Sequence, residues 1–333
     1  MSAMILKTHS LAIGYGNGKR EPTPLVPPIN LELHGPSFVA LAGVNGAGKS
    51  TFLKTITGLL QPLAGEVELN GKPLKTLSAH EIALSVSIVL TEFPDDLFLR
   101  VEDVVAMGRY PYSGFWGRPG EEDHRAVMKS MELCNISHLK GRRIISLSDG
   151  EKQKTFIAKA IAQDTPFIVL DEPAAFLDYP GKLELMYLLR NLVYEQGKTI
   201  LFSSHDLDLV LRHADRLWLL APGVPFVEGT PEKLAVEGQI ASFFNRRQIA
   251  FDTQTLHFLQ TEQISNRIRL APDLPHRKLI INALARNGYT ETNKISRFSV
   301  SFSKPDFLLH CGERTYKCPD IDTLIQQIKS YET

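Results

Sequence analysis

A glycine-rich stretch that carries a lysine and two hydroxyls lies near the start of the chain. After the short apolar run Phe38–Ala42 comes GVNGAGKST, residues 43–51, which fits the pattern G-x-x-x-x-G-K-[ST]. The glycines let the backbone curl so that successive N–H groups point at phosphate oxygens, and the lysine brings a positive charge to the outer phosphates. The hydroxyl after the lysine can ligate Mg²⁺. The motif therefore predicts a nucleoside triphosphate site between a strand and a helix. Its predicted contact residues are Gly43, Asn45, Gly46, Ala47, Gly48, Lys49, Ser50 and Thr51.

Two acidic residues at the end of another apolar run are the second candidate for chemistry. FIVLDE predicts a buried strand that ends in Asp171 and Glu172. A carboxylate at the end of a parallel strand beside a phosphate loop can hold Mg²⁺ through water, which is the role predicted for Asp171. Glu172 suits a general base that aligns water for attack on the terminal phosphate. The run Thr199–Phe202 leads into SSHD, where His205 is placed to bond that phosphate and to orient Glu172.

The sequence LSDGE, residues 147–151, allows two interpretations. Ser148 followed by Glu151 three positions later predicts a capping box at the start of a helix. A hydroxyl and a glycine at a positively polarised helix N-terminus also suit contact with a phosphate. Two acids next to a phosphate argue against the second interpretation, and these residues alone do not decide between the two.

Composition limits the class of protein and its partners. The 333 residues contain 37 Lys plus Arg and 37 Asp plus Glu, a balance that gives no electrostatic surface for nucleic acid, and we expect no nucleic-acid partner. The three cysteines form no disulfide framework and favour a reducing compartment. No apolar run approaches the roughly 18 residues of a membrane span, and the start of the chain lacks a signal-peptide core. We expect a cytosolic protein that acts at a membrane only through a partner.

The order of strand-like and helix-like runs predicts an α/β fold in two domains. Short apolar strands that alternate with helices predict a mainly parallel core sheet in residues 1–240. The early strands have no helices between them, which predicts an antiparallel subdomain, and residues of about 93–150 predict a helical subdomain. Residues 241–333 predict a small α+β accessory domain. Its predicted elements are a strand at Ile268–Leu270, a helix at His276–Asn287, strands at Ser296–Cys311 and Arg314–Cys318, and a helix at Asp320–Tyr331.

Taken together, these motifs resemble those of one family, the ATP-binding-cassette (ABC) transporter ATPases, over roughly residues 4–240. GVNGAGKST resembles the Walker A loop, FIVLDE the Walker B strand, and FLD, with Asp178, the D-loop. His205 matches the switch histidine, and Tyr15 the aromatic residue that stacks on adenine. The resemblance implies a P-loop ATPase fold with a mixed core sheet and ATP hydrolysis that requires Mg²⁺. LSDGE resembles the signature usually written LSGGQ, which implies that this part of one subunit of a homodimer contacts the ATP of the other. The signature residues are Leu147, Ser148, Asp149, Gly150 and Glu151.

The segment VEDVVAMGRYPYSG, residues 101–114, narrows the resemblance to ATPases of importers for iron–siderophore complexes, haem and cobalamin. Such a resemblance implies two copies beneath a dimeric integral-membrane permease, at the cytoplasmic face of the inner membrane, and a periplasmic substrate-binding protein that supplies the cargo. Residues around Thr91–Arg109 are the predicted permease contact. Two alternatives stay open: a cassette for another cargo, such as zinc, manganese or a phosphonate, and a soluble cassette protein acting on ribosomes or DNA.

The chain departs from the family pattern at three places. The glutamine that usually follows the strand Val86–Leu90 and ligates Mg²⁺ is replaced by Thr91, followed by Glu92. Thr91 offers an oxygen with a shorter reach, so Glu92 or a water could take its place at the metal. Asp149 and Glu151 replace a glycine and the glutamine of the signature. The third departure, the domain at 241–333, suggests dimer contact or regulation; its cysteines fit small buried residues better than a metal site.

Overall fold

The computed structural model describes residues 3–15, 23–91, 98–112, 120–244, 249–252, 257–260 and 266–331. The chain divides into two compact units, residues 1–245 with 251–258 and residues 246–250 with 259–333. The strands up to residue 229 are β1 (Met4–Ala12), β2 (Ile29–His34), β3 (Ser37–Ala42), β4 (Ala64–Leu69), β5 (Lys72–Pro73), β6 (Val86–Val89), β7 (Phe167–Leu170), β8 (Thr199–Ser204), β9 (Arg216–Leu219) and β10 (Val227–Gly229). The helices up to residue 244 are α1 (Lys49–Ile56), α2 (Ala79–Ser85), α3 (Val101–Ala106), α4 (Glu121–Leu133), α5 (Asp149–Ala162), α6 (Tyr179–Tyr194), α7 (Leu207–His213), α8 (Pro231–Val236) and α9 (Gln239–Phe244).

A six-stranded sheet in the order β10-β9-β3-β8-β7-β6 forms the centre of the first unit. Its strands are parallel except for β10, which pairs antiparallel with β9. β3, β8 and β7 are buried along their whole length, as continuous apolar runs predict for strands covered on both faces. Because β8 lies between β3 and β7, the loops that follow these three strands meet at one edge of the sheet. This edge carries the predicted phosphate loop, the two acids and His205.

A second, antiparallel sheet in the order β2-β1-β4-β5 confirms the prediction made from the early strands. Its strand β2 alternates between buried and exposed residues, the pattern of a sheet with one face in the core. One hydrophobic cluster joins this sheet to α1 and to the central sheet, with Leu31, Phe52 and Trp218 among its buried members. The predicted α/β fold with an antiparallel subdomain is therefore confirmed.

The helices α3, α4 and α5 pack on one another and share a second hydrophobic cluster with the central sheet. The segment after α3, residues 107–112, forms a 3₁₀ turn that contains the sequence Gly-Arg-Tyr-Pro-Tyr. Gly108 lies so close to α5 that a Cβ atom there would be 2.2 Å from the carbonyl oxygen of Lys159. Only glycine allows this approach, which explains the residue type at this position.

The side chain of Arg109 is buried inside this helical region. Its Nε donates to Asp123 Oδ1 at 2.9 Å, and Nη1 donates to the carbonyl oxygen of Ala162 at 2.9 Å, at the C-terminal end of α5. The guanidinium also stacks on the ring of Tyr112, 3.9 Å from its centre. The Gly120 N–H and the Arg109 guanidinium hold the pKa of Asp123 below its usual value. Arg109 therefore joins the 3₁₀ turn, α4 and α5 through buried contacts.

The second unit contains a five-stranded sheet of the segments Tyr289–Glu291, Asn266–Leu270, Phe298–Ser303, Asp306–Cys311 and Arg314–Cys318, in that spatial order. Its helices, Arg277–Arg286 and Ile321–Lys329, contact each other, and the second of them also contacts the last two strands of that order. Of the cysteines, Cys134 and Cys318 are buried, and all three are free thiols. The remaining elements of the chain are β11 (Ile249–Asp252), β12 (His257–Gln260), β13 (Asn266–Leu270), α10 (Arg277–Arg286), β14 (Tyr289–Glu291), β15 (Phe298–Ser303), β16 (Asp306–Cys311), β17 (Arg314–Cys318) and α11 (Ile321–Lys329); β11 and β12 form a separate two-stranded sheet.

One expectation for this unit is wrong, and one of its short strands is absent from the prediction. The single strand predicted at Ser296–Cys311 is a hairpin of β15 and β16, paired from Phe298↔Cys311 to Ser303↔Asp306. The chain turns at Lys304–Pro305, because proline has no N–H with which to continue a ladder. The strand β14 was not predicted at all, since three residues are too few to show a periodicity. Within the described part of the chain, no helix has the length and hydrophobicity that crossing a bilayer requires.

Replacing Arg109 by alanine should lower the melting temperature by several degrees and destabilise the fold by about 3 kcal/mol. The substitution leaves the Asp123 carboxylate and the Ala162 carbonyl without their buried donor. The melting temperature of Arg109→Lys should lie between those of wild type and Arg109→Ala, because an ammonium keeps the charge but not the forked geometry. Calorimetry would measure the effect.

Arg125→Ala is the matched control, since Arg125 is an exposed residue of the same helix α4. Equal melting temperatures for the two alanine variants would contradict the stabilising role of Arg109. The lowered pKa of Asp123 means that its stabilisation is present above about pH 4 and is lost as the pH falls through its folded-state value. The difference between wild type and Arg109→Ala should therefore shrink in acid.

Candidate functional site

The loop between β3 and α1 has the backbone that its glycines predict. Gly46 and Gly48 have φ angles of 77° and 93°, in the left-handed region that favours glycine. Gly43 has another reason: a Cβ atom there would lie 2.2 Å from the carbonyl oxygen of Leu220. Each of the three glycines of the motif is thus required by geometry.

The loop lysine is buried and held in place. The Lys49 Nζ donates to the carbonyl oxygen of Gly43 at 3.0 Å and lies 3.8 Å from Glu172 Oε1. Only 8% of its side chain is exposed. The two contacts hold its ammonium group between Gly43 and Glu172. Asn45, Gly46 and Ser50 are exposed at the surface of the loop and the start of α1, whereas Ala47 and Thr51 are buried.

Tyr15 lies beside this loop, as a residue that stacks on a nucleotide base must. Its hydroxyl oxygen accepts a hydrogen bond from Thr51 Oγ1 at 3.2 Å. Since Thr51 belongs to the first turn of α1, this bond ties the tyrosine to the phosphate loop. The residue is 58% exposed, which leaves ring surface available for stacking.

The two acids follow β7 directly, but their backbones differ. The Asp171 N–H donates to the carbonyl oxygen of Val89 at 2.8 Å, and the residue is buried at 3% exposure. Glu172 has a φ angle of 51°, a left-handed conformation that is uncommon for a residue with a Cβ atom. Such strain persists only where the surroundings stabilise it, and it is concentrated at functional sites.

Glu172 connects the ends of two strands. Its Oε2 is hydrogen-bonded to Nδ1 of His205, and its Oε1 faces the loop lysine. The side chain of His205 is 58% exposed, whereas that of Glu172 is 19% exposed. The structure therefore brings together Lys49, Glu172 and His205, the three residues for which catalytic roles were predicted.

Thr91 is engaged with the main chain. Its Oγ1 donates to the carbonyl oxygen of Asp171 at 3.1 Å. This hydrogen bond orients the hydroxyl towards the end of β7. Glu92, predicted as the alternative metal ligand, lies outside the described residues.

Few protein ligands are available for a metal ion at this edge. Among the described residues, no group of three or more His, Cys, Asp and Glu side chains is arranged to hold a metal. The candidate ligands are the Ser50 hydroxyl and the Asp171 carboxylate. Oxygen donors in small number, completed by phosphates and water, are the environment that Mg²⁺ prefers. The residues present therefore fit the predicted ion.

The LSDGE segment forms the capping box that its spacing predicts. Ser148 is the N-cap of α5: its Oγ accepts from the Glu151 N–H at 3.3 Å, and its own N–H donates to Glu151 Oε2 at 2.8 Å. The Ser148 N–H holds the pKa of Glu151 below its usual value. Leu147 is buried, whereas the side chain of Asp149 is 67% exposed and lies 3.4 Å from Lys152 Nζ. Of the two acids, one closes the cap and the other faces outwards.

The signature and the D-loop lie against each other within one chain. A Cβ atom on Gly150 would be 3.2 Å from the carbonyl oxygen of Phe176, so glycine permits the close approach. Asp178 is the N-cap of α6, where its Oδ1 accepts from the Gly181 N–H at 3.0 Å. The two segments therefore present their helix N-termini from adjacent positions.

Sequence reasoning gave no role to Ser203, a fully buried residue of β8. Its Oγ donates to Asp171 Oδ1 at 2.6 Å and accepts from the Glu172 N–H at 2.8 Å. The available signal was the position of Ser203 near the end of the strand that precedes His205. That signal has no meaning until the sheet order is known, because only the order places β8 beside β7.

Comparison with known proteins agrees with this architecture. The family model described as "ABC transporter" matches residues 26–175. The uncharacterised ABC transporter ATP-binding protein MJ0873 of Methanocaldococcus jannaschii is 36% identical over 79% of this chain and 89% of its own length. The iron(3+)-hydroxamate import ATP-binding protein FhuC of Bacillus subtilis is 36% identical over 68% of this chain and 82% of its own.

Similarity to solved structures gives the same result. The dimeric structure of MJ0796, described as a bacterial ABC transporter cassette, superposes with a TM-score of 0.62 at 26% identity. The match covers 68% of this chain and 99% of that cassette. The chain therefore belongs to the family of ABC transporter ATP-binding proteins. It is an ATP-hydrolysing subunit of an ABC transporter.

Proposed function

We propose that this chain powers an importer for an iron chelate, with a ferric siderophore as the first candidate and haem or cobalamin as related cargoes. The observation that carries the proposal is its similarity to the iron(3+)-hydroxamate import protein over 82% of that protein's length. The segment at residues 101–114 also supports it, because its sequence resembles the corresponding part of such importers. The cargo itself is recognised elsewhere, so the ATPase supplies only the energy.

In this proposal the residues at the sheet edge divide the work of ATP hydrolysis. Tyr15 stacks on the adenine, and Lys49 binds the outer phosphates. Ser50 and, through water, Asp171 would hold Mg²⁺, which would supply positive charge opposite the negative charge that develops on the phosphates. Glu172 accepts a proton from the attacking water. His205 orients the Glu172 carboxylate, to which it is hydrogen-bonded.

The signature acts in a homodimer in the proposed mechanism. The N-terminus of α5 is positively polarised, and Ser148 and Gly150 lie at its start. We propose that these two residues contact the terminal phosphate of the ATP bound to the partner subunit. The segment that ends in Asp178 lies beside Gly150 in the same chain. Binding of ATP then closes the dimer and hydrolysis opens it, which gives the permease a two-state input. The carboxylate of Asp149 faces outwards, and in this proposal its negative charge repels the terminal phosphate.

The proposed permease contact lies in the helical region. Within residues 98–112, Phe98 and Tyr110 are the large apolar side chains with most exposure, at 69% and 65%. Arg109 was among the predicted contact residues, but its guanidinium is buried against α4 and α5. We therefore propose that Phe98 and Tyr110 face the permease, and that the protein works at the cytoplasmic face of the membrane.

Glu172→Gln should bind ATP and dimerise but hydrolyse it about 10²- to 10⁴-fold more slowly, because an amide cannot accept the proton from water. Phosphate release would measure hydrolysis, and gel filtration with ATP would measure dimerisation. Glu195→Gln, at the end of α6, is a control that removes an exposed acid. Turnover close to that of wild type in the Glu172→Gln protein would reject Glu172 as the base.

Asp149→Gly should lower the KM for ATP or raise turnover, because it removes a negative charge from the proposed phosphate contact. Asp149→Asn separates charge from backbone effects, since it keeps a side chain that tolerates the helix start. Both variants should bind ATP more tightly in the dimer, and titration of ATPase activity would record this. If Asp149→Asn behaves as wild type, charge repulsion is not the effect of this acid.

The cargo can be tested in cells that produce this chain and its co-purifying permease. Uptake of radioactive iron as a ferric hydroxamate should be lost when Lys49 is replaced by alanine. Uptake of zinc, manganese and a phosphonate, measured in the same cells, should not change. Loss of zinc or phosphonate uptake with unchanged ferric uptake would assign the other cargo class and contradict the proposal.

A further inference from the structure

We infer that Thr91 and Ser203 act together as positioning residues for ATP hydrolysis: their hydroxyls hold the two ends of one peptide group, the one that joins Asp171 to Glu172. This inference rests on the proposed roles of Asp171 as metal ligand and Glu172 as base. We call the arrangement of the two hydroxyls and this peptide group the hydroxyl clamp.

The carbonyl oxygen of Asp171 and the N–H of Glu172 belong to the same planar peptide unit. Thr91 Oγ1 donates to the oxygen at 3.1 Å, and Ser203 Oγ accepts from the N–H at 2.8 Å. A rigid plane that is held at both ends cannot rotate about its long axis without breaking one of the bonds. The clamp therefore fixes both the ψ angle of Asp171 and the φ angle of Glu172.

The two hydroxyls come from the two strands that flank β7. Thr91 follows β6, and Ser203 belongs to β8. In the registers of the sheet, Val89 pairs with Leu170 on one side and Phe202 pairs with Leu170 on the other. The clamp therefore continues the sheet by one step beyond its last backbone pairs, with side-chain hydroxyls in place of backbone groups.

The hydroxyl of Ser203 can donate its hydrogen to only one of its two partners. A carboxylate cannot donate and an N–H cannot accept, so Ser203 donates to Asp171 Oδ1 and accepts from Glu172. The serine is fully buried, so water does not compete for either bond. The same hydroxyl thus fixes the Asp171 carboxylate as well as the peptide group.

The clamp accounts for the strained conformation of Glu172. At a φ angle of 51° the chain leaves the strand direction at this residue, and the carboxylate reaches His205 and Lys49. A residue with a Cβ atom is sterically strained in this region and stays there only where its surroundings stabilise it. The bond from its N–H to Ser203 favours this bend over an extended one. Without it, we expect the carboxylate to occupy several positions, of which few align water for attack.

The clamp also gives a function to the residue that departs from the family pattern. Thr91 stands at the position of the usual glutamine. A displacement of its hydroxyl would release the Asp171 carbonyl and loosen the base, with no change in the phosphate loop.

The test uses Ser203→Ala and Thr91→Val, each of which removes a hydroxyl and little volume. We expect kcat to fall about 10- to 100-fold, since small misplacements of a catalytic group have effects of this size. KM for ATP should stay within about threefold, because the phosphate loop is untouched. Ser203→Thr and Thr91→Ser, which retain the hydroxyl, should restore most of kcat.

The matched control is Thr199→Val at the start of the same strand β8. Its Oγ1 is buried and has no hydrogen-bond partner among the described residues, so its loss should not change kcat. Melting temperatures of all variants separate loss of the clamp from loss of the fold. A fall in kcat that simply follows melting temperature, or that appears equally in Thr199→Val, would overturn the inference.

A double variant separates the clamp from the proposed catalytic roles. If the clamp acts through Glu172, adding Thr91→Val to Glu172→Gln should not slow the residual hydrolysis further, because Thr91 holds the peptide group through the Asp171 carbonyl oxygen. An additive effect, or wild-type kcat in both Ser203→Ala and Thr91→Val, would reject the clamp while Glu172→Gln remains slow. Normal hydrolysis by Glu172→Gln would instead reject the base itself.

Discussion

The parallel pairing of β3, β8 and β7 is the constraint on which the candidate site depends. These strands are buried on both faces, so their side chains are fixed by packing in the core. Since parallel strands end on the same side, three loops that are far apart in sequence become neighbours. The strand pairing brings the loops together, and contacts of Glu172 with His205 and Lys49 then join them.

Strain at this edge is concentrated where the sheet can support it. Gly46 and Gly48 avoid a steric cost by lacking a Cβ atom, whereas Glu172 adopts a left-handed conformation with its Cβ atom present. The support comes from buried hydrogen bonds with single directions, and Ser203 makes two of them. The result is an acid that is rigid at its backbone and only partly exposed at its oxygens.

The sequence predicted those features whose geometric requirement lies within a single motif. The phosphate loop, the acids after an apolar run and the capping box of Ser148 could all be predicted, because each requirement lies within a few residues. The antiparallel subdomain followed from the absence of helices between the early strands. These features depend on backbone geometry and helix ends, which act over short distances along the chain.

Features that join distant parts of the chain could not be predicted. The contacts of Ser203 with Asp171 and of Thr91 with the Asp171 carbonyl span about 30 and 80 residues and require the strand order. The burial of Arg109 depends on the end of α5, more than 50 residues away. In the second unit, β14 and the turn at Pro305 were missed because short strands leave little pattern.

The grip of the 3₁₀ turn on α5 has a mechanical consequence. Arg109 and Tyr112 hold the last carbonyls of this helix, at Ala162 and Gln163, while Ser148 lies at its other end. A helix of 14 residues is a stiff rod of about 21 Å. A small tilt imposed at residues 107–112 would therefore move the Ser148 end of the helix as well, because the helix is stiff along its length. The length of α5 would convert a slight rotation at one end into a displacement at the other.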